Sequence, residues 1–74
     1  MAKTELDFRG MNCPMPIIKT SMAVRKATSG DVFEVKCDDP GFEPDIEAWA
    51  SETKNIINGI RKEGSDIIAT ITKK

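Results

Sequence analysis

The segment MNCPMPIIK, Met11–Lys19, holds the residue best suited to covalent chemistry in this chain. Cys13 stands between Asn12 and Pro14, Pro16 follows two residues after Pro14, and an apolar run comes next. The first N–H groups of a helix have no acceptor within the helix. Proline lacks an N–H and has a helix-compatible φ, so Pro14 and Pro16 mark a helix start. That reading puts Cys13 at the cap, at the positive end of the helix dipole, facing the donors of Met15 and Ile17. Thiolate is favoured there, and the pKa is expected below the usual thiol value of about 8.5. Arg9, on the loop entering the helix, is expected to add to the effect. A lowered pKa gives a more abundant nucleophile and a better leaving group, which suits a sulfur that accepts a group and then releases it. The competing role, a small buried apolar residue, fits a cap position less well, because caps are seldom chosen for packing.

Other chemistries lack their parts. The chain has no histidine, which excludes His-assisted serine or cysteine hydrolysis. The second thiol, Cys37, is far from Cys13 in sequence and makes no CxxC with it. A zinc site would need carboxylates to complete it, and a disulfide framework is not expected without a secretion signal. No metal and no cofactor are called for. The Asp38–Asp39 pair reads as turn and capping chemistry. Eleven Lys and Arg against twelve Asp and Glu leave a net charge of −1, with no general pull toward nucleic acid or acidic membranes. One Trp, three Phe and no Tyr supply a base-stacking surface poorly. The start, MAKTELDFRG, has no apolar signal-peptide core, and no stretch is long and apolar enough to span a bilayer. A cytoplasmic protein with no membrane partner and no direct nucleic-acid partner is expected.

Elements that position Cys13 follow from periodicity. The 74 residues, 1–74, make one domain near the lower size limit for folding without staples. Thr4–Phe8 reads as a strand, with Leu6 and Phe8 alternating against charge. A helix is predicted from Pro14 to about Ala27 or Thr28, stopped by Ser29–Gly30. Asp31–Cys37 is the clearest strand, with Phe33, Val35 and Cys37 on one face. After the DDPGF turn, a second helix is predicted over 44–53, with Pro44 at its first position and Ile46, Trp49, Ala50 and Thr53 as its apolar stripe. Two final strands flank Gly64–Ser65. The order βαβαββ predicts a parallel first pair, an antiparallel last pair and an α/β (α+β) two-layer sandwich: two helices on one face of a four-stranded mixed sheet. Trp49 is expected in the core.

The first helix has more apolar residues than its core stripe needs. Ile17, Thr20, Ala23, Val24 and Ala27 share one face; Met15, Ile18 and Met22 lie roughly opposite, flanked by Lys19, Arg25 and Lys26. Partial cover by the sheet and the second helix, with Ile18 at the core boundary, is one reading of that second stripe. The other is a Met-rich docking patch with a basic rim, able to fit more than one acidic partner. Phe42, before the second helix, is a further candidate contact, with packing under its loop as the alternative.

LDFRGMNCPMP (Leu6–Pro16), DDP (Asp38–Pro40) and DIEAWA (Asp45–Ala50) together resemble the TusA/SirA family of sulfur-carrier proteins, over nearly the whole chain. The resemblance implies that Cys13 carries sulfur as a persulfide, received from a cysteine desulfurase or a rhodanese-type donor and passed to an acceptor sulfurtransferase. In related proteins such a relay serves tRNA thiolation, molybdenum cofactor sulfuration or sulfur oxidation. It implies a carrier with sulfurtransferase-type activity rather than a self-contained enzyme. Asp7, Arg9, Gly10, Pro14 and Pro16 carry over as motif residues around the thiol; Asp38, Asp39, Pro40 and Asp45 match a second block whose role is open. Relatives often have Gly after the second helix where this chain has Lys54, which implies a looser cap. Cys37 departs from a small apolar residue. It is expected to be buried with Phe33 and Val35, the sharper alternative being that it reaches Cys13 and resolves the persulfide into a disulfide. Two rival functions use the same fold without sulfur chemistry. One is RNA binding, since the fold also resembles the C-terminal domain of a translation initiation factor; the other is a regulatory adaptor working through Met15, Ile18 and Met22.

Overall fold

Alternating burial builds the sheet. In β2 (Val32–Cys37), Phe33, Val35 and Cys37 are buried and the residues between them are only half-buried. The computed structural model describes residues 3–12 and 14–74. Around β2 the chain forms β1 (Lys3–Asp7), α1 (Met15–Arg25), α2 (Phe42–Thr53), β3 (Ile56–Glu63) and β4 (Asp66–Thr72). The sheet order is β1-β2-β4-β3; β1 and β2 run parallel, and β4 is antiparallel to both β2 and β3. This is the βαβαββ two-layer arrangement that the periodicity predicts. Gly64, at φ 63, makes the tight turn joining β3 to β4.

One core lies between the layers. Val24 of α1 and Phe42, Ile46, Trp49 and Ala50 of α2 pack against Phe33, Val35, Cys37, Ile67, Ala69 and Ile71 of the sheet. Each fully buried large side chain contributes roughly 1.5–3 kcal/mol, so these few residues dominate the stability of so short a chain. Thr20, the buried polar side chain of α1, donates its hydroxyl to the Pro16 carbonyl at 2.7 Å. The far end of α1 is tied down by Lys73, whose Nζ donates to the carbonyls of Ala27 and Arg25 at 2.6 and 3.1 Å.

Several expectations need correcting. α2 starts at Phe42, not Pro44, because Asp39 turns the chain early: Gly41 N–H donates to Asp39 Oδ1 at 2.9 Å and Phe42 N–H to the Asp39 carbonyl at 3.0 Å. Pro44 then sits third in the helix, where its missing N–H is still one of the unpaired set. Phe42 is only 1% exposed, so it is a core residue and not a partner contact. α1 is shorter than predicted, ending at Arg25, because Ala27 N–H bonds the Val24 carbonyl three residues back and tightens the last turn. The cap of α1 is Pro14 and not Cys13: the Pro14 carbonyl accepts the first full helical bond, from Ile18, at 3.0 Å. Cys13 itself lies outside the described residues. The face of the sheet away from the helices also holds a surprise, since Ile68, paired with Lys36 and Arg61, is 1% exposed. The ion pairs of Glu34 with Lys3 and Arg61, at 3.4 and 3.2 Å, run over that same face.

Candidate functional site

Because β1 and β2 run parallel, both end at the same edge of the sheet, and β4 begins there. The loop from β1 to α1, which contains Cys13, leaves from this edge. Its backbone is pinned donor by donor. Phe8 N–H donates to the Lys36 carbonyl at 2.8 Å, Arg9 N–H to Asp7 Oδ1 at 3.1 Å, Gly10 N–H to Asp38 Oδ1 at 3.0 Å, and Met11 N–H to the Phe8 carbonyl at 3.2 Å. Gly10 has φ 85, a left-handed conformation that a side chain would strain, although the space beside it is open.

Arg9 faces its neighbours rather than standing free. Nε and Nη2 donate to the two oxygens of Asp7 at 2.9 and 2.7 Å, and Nη1 lies 3.7 Å from Asp66 Oδ2. The guanidinium hydrogen bonds, and next the Arg9 backbone N–H, lower the Asp7 carboxyl from its ordinary 3.8 to about 2. Three sequence-predicted motif residues, Asp7, Arg9 and Gly10, are thus brought together with Asp38. Asp66 joins them unforeseen; only the strand register places it there, and no local pattern in GSD, 64–66, announces it.

On the other side of Cys13 the helix start offers fewer donors than expected. Met15 N–H donates to the Asn12 carbonyl at 3.0 Å and Ile17 N–H to the Pro14 carbonyl at 3.1 Å. Pro14 and Pro16 have no N–H. The two donors assigned to the sulfur from sequence are therefore engaged by backbone, and what remains of the helix-end effect is the dipole. Arg9, paired with Asp7 and near Asp66, likewise carries a largely compensated charge.

The second stripe of α1 is a surface. Met15, Ile18 and Met22 are 44%, 46% and 52% exposed, and Lys19, Arg25 and Lys26 beside them are exposed as well. Thr20 and Val24 are buried and Ile17 and Ala23 partly so, as the core stripe requires. No aromatic residue is among the exposed large apolar side chains described, so nothing here favours base stacking. Trp49 is in the core, its indole N–H without a partner among the described residues. Cys37 is 0% exposed, and burial pushes its thiol pKa up. A disulfide with Cys13 involves a residue outside those described; on the Cys37 side it would have to begin from a sealed, protonated thiol. No group of side chains among the described residues could hold a metal ion, and no helix described is long and apolar enough to cross a membrane.

The chain is similar to known proteins in sequence and in fold. The sequence model of the family described as Sulfurtransferase TusA matches residues 4–73. A putative sulfur carrier protein of Aquifex aeolicus is 44% identical over 68 residues, covering 92% of this chain and 34% of that protein, so the chain spans about a third of that relative. The sulfur carrier protein TusA of Allochromatium vinosum is 36% identical over 69 residues, covering 93% of this chain and 91% of the relative. Among solved structures, the SirA-like protein from Desulfitobacterium hafniense superposes with a TM-score of 0.81 at 23% identity, covering 93% of this chain and 95% of that one; it shares the fold.

Proposed function

The chain belongs to the TusA sulfurtransferase family, and from that premise we propose that Cys13 is the atom on which it carries sulfur. The role of a sulfur carrier implies a donor and an acceptor. In the loading step, the Cys13 thiolate attacks the outer sulfur of a donor persulfide; a new S–S bond forms to Cys13, the donor's S–S bond breaks, and the donor cysteine leaves as thiolate. In the unloading step an acceptor thiolate attacks the same outer sulfur and the Cys13 thiolate leaves. The two steps balance without an outside oxidant or reductant, and neither needs a general acid or base from this chain. A cysteine desulfurase or a rhodanese-type protein fits the donor role, and a second sulfurtransferase the acceptor role.

The observation that carries this reading furthest into the structure is the apolar stripe of α1. Met15, Ile18 and Met22 are exposed on the helix that Cys13 precedes, and Lys19, Arg25 and Lys26 rim them. A flexible, polarizable surface of this kind fits two successive partners of different shape, and its rim favours acidic ones. The test is relay of radiolabelled sulfur from a charged cysteine desulfurase or a thiosulfate-charged rhodanese. Cys13→Ser takes up no label, whereas Met22→Glu leaves small-molecule alkylation of Cys13 intact and slows loading from the protein donor about tenfold or more. Equal loading of Cys13→Ser and the native chain would refute the assignment.

A further inference from the structure

We propose that Asp38 is the positioning residue for the sulfur-bearing loop, a role that rests on the carrier reading above. Asp38 follows the last residue of β2 and is exposed, yet its Oδ1 accepts the Gly10 N–H at 3.0 Å from 28 residues away in sequence. Its neighbour Asp39 does ordinary local work, holding Gly41 N–H at 2.9 Å to begin α2. Asp38 instead crosses from one strand end to the loop leaving the other.

The location of that bond gives it its consequence. Gly10 is the left-handed residue at which the chain turns, at φ 85, toward the segment containing Cys13. Phe8 N–H on β2 and Arg9 N–H on Asp7 fix the loop up to that turn. Asp38 fixes the turn itself, and the link from Met15 N–H to the Asn12 carbonyl fixes the chain beyond Cys13. An in-line attack on a sulfur, with a partner protein supplying the other reactant, depends on where that sulfur stands to within about an ångström. An exposed carboxylate on a loop amide adds little to core stability, so its loss is expected to show in transfer more than in folding.

The experiment uses the full chain with Asp38→Ala and Asp38→Asn, the latter keeping an oxygen that can accept from Gly10. Three quantities are read: exchange of the Gly10 amide by NMR, the pH midpoint of Cys13 alkylation by monobromobimane, and sulfur loading from a charged cysteine desulfurase or thiosulfate-charged rhodanese, whichever loads the native chain. Asp38→Ala is expected to speed Gly10 exchange and to slow loading about tenfold or more while leaving the alkylation midpoint in place. Asp38→Asn is expected to load within about threefold of native, with Gly10 still protected. Native-rate loading by Asp38→Ala overturns the proposal. So does an alkylation midpoint that moves in both variants, since charge and not position would then be the cause. Failure of the native chain to load from either donor is a different result: it removes the carrier reading, and the proposal falls with it.

Discussion

One guanidinium serves two carboxylates at the root of the thiol loop, and its pairing has a measurable signature. Asp7 is lowered to about 2 by Arg9. A carboxyl with a lowered folded-state pKa contributes stability that is fully present above its ordinary 3.8 and is lost as the pH falls from there through about 2. NMR titration of the Asp7 carboxyl is expected to give a midpoint near the lower value in the native chain, and Arg9→Gln to return it toward 3.8. An unchanged midpoint in Arg9→Gln would mean that the bidentate pair does not form in solution. At this scale the sequence is legible where chemistry is local. Asp7, Arg9 and Gly10 lie within four consecutive positions and fall inside one motif, and Cys13 is flagged by its prolines. Asp66 and the long tie from Asp38 are not legible, because both depend on which strand ends share an edge.

α1 and α2 differ in how they end, and the difference has a stability consequence. The closing residue of α2 is Lys54, held at φ 63 and ψ 22, a left-handed conformation that suits glycine. Lys54→Gly is expected to raise stability by about 1 kcal/mol, a gain of roughly 4–8 °C in Tm for a chain of this size, read by thermal denaturation. A drop in Tm would mean that the glycine's added freedom in the unfolded chain outweighs the relieved strain. The start of α1 shows the limit of reading caps from sequence. Pro14 and Pro16 do mark it, but the chain satisfies Met15 and Ile17 with its own carbonyls instead of leaving them for a sulfur. The strands were legible through their two-residue alternation and the helices through their apolar stripes. The early start of α2 was hidden because Asp39 turns the chain before the proline signal at Pro44. The burial of Phe42 follows from the same shift, since it places that residue one turn before Ile46 on the core face.

Across the whole molecule, one layer of helices on one face of a small sheet leaves the thiol loop at an edge and the other thiol inside. Cys37, the last residue of β2, pairs with Ile67, belongs to the core and has no exposed surface. Burial on this scale closes Cys37 to reagents, so the site of any addition discriminates between the two thiols. Under the proposed carrier role Cys13 is the sulfur that exchanges, while Cys37 is packed in the core. The direct test is to treat the full chain with a sulfane sulfur donor, weigh it intact and map the modified peptide. A gain of about 32 Da, one sulfur atom, is expected on the peptide containing Cys13, reversed by dithiothreitol and absent in Cys13→Ser. Addition at Cys37, or no addition with inorganic polysulfide and thiosulfate-charged rhodanese alike, would contradict it.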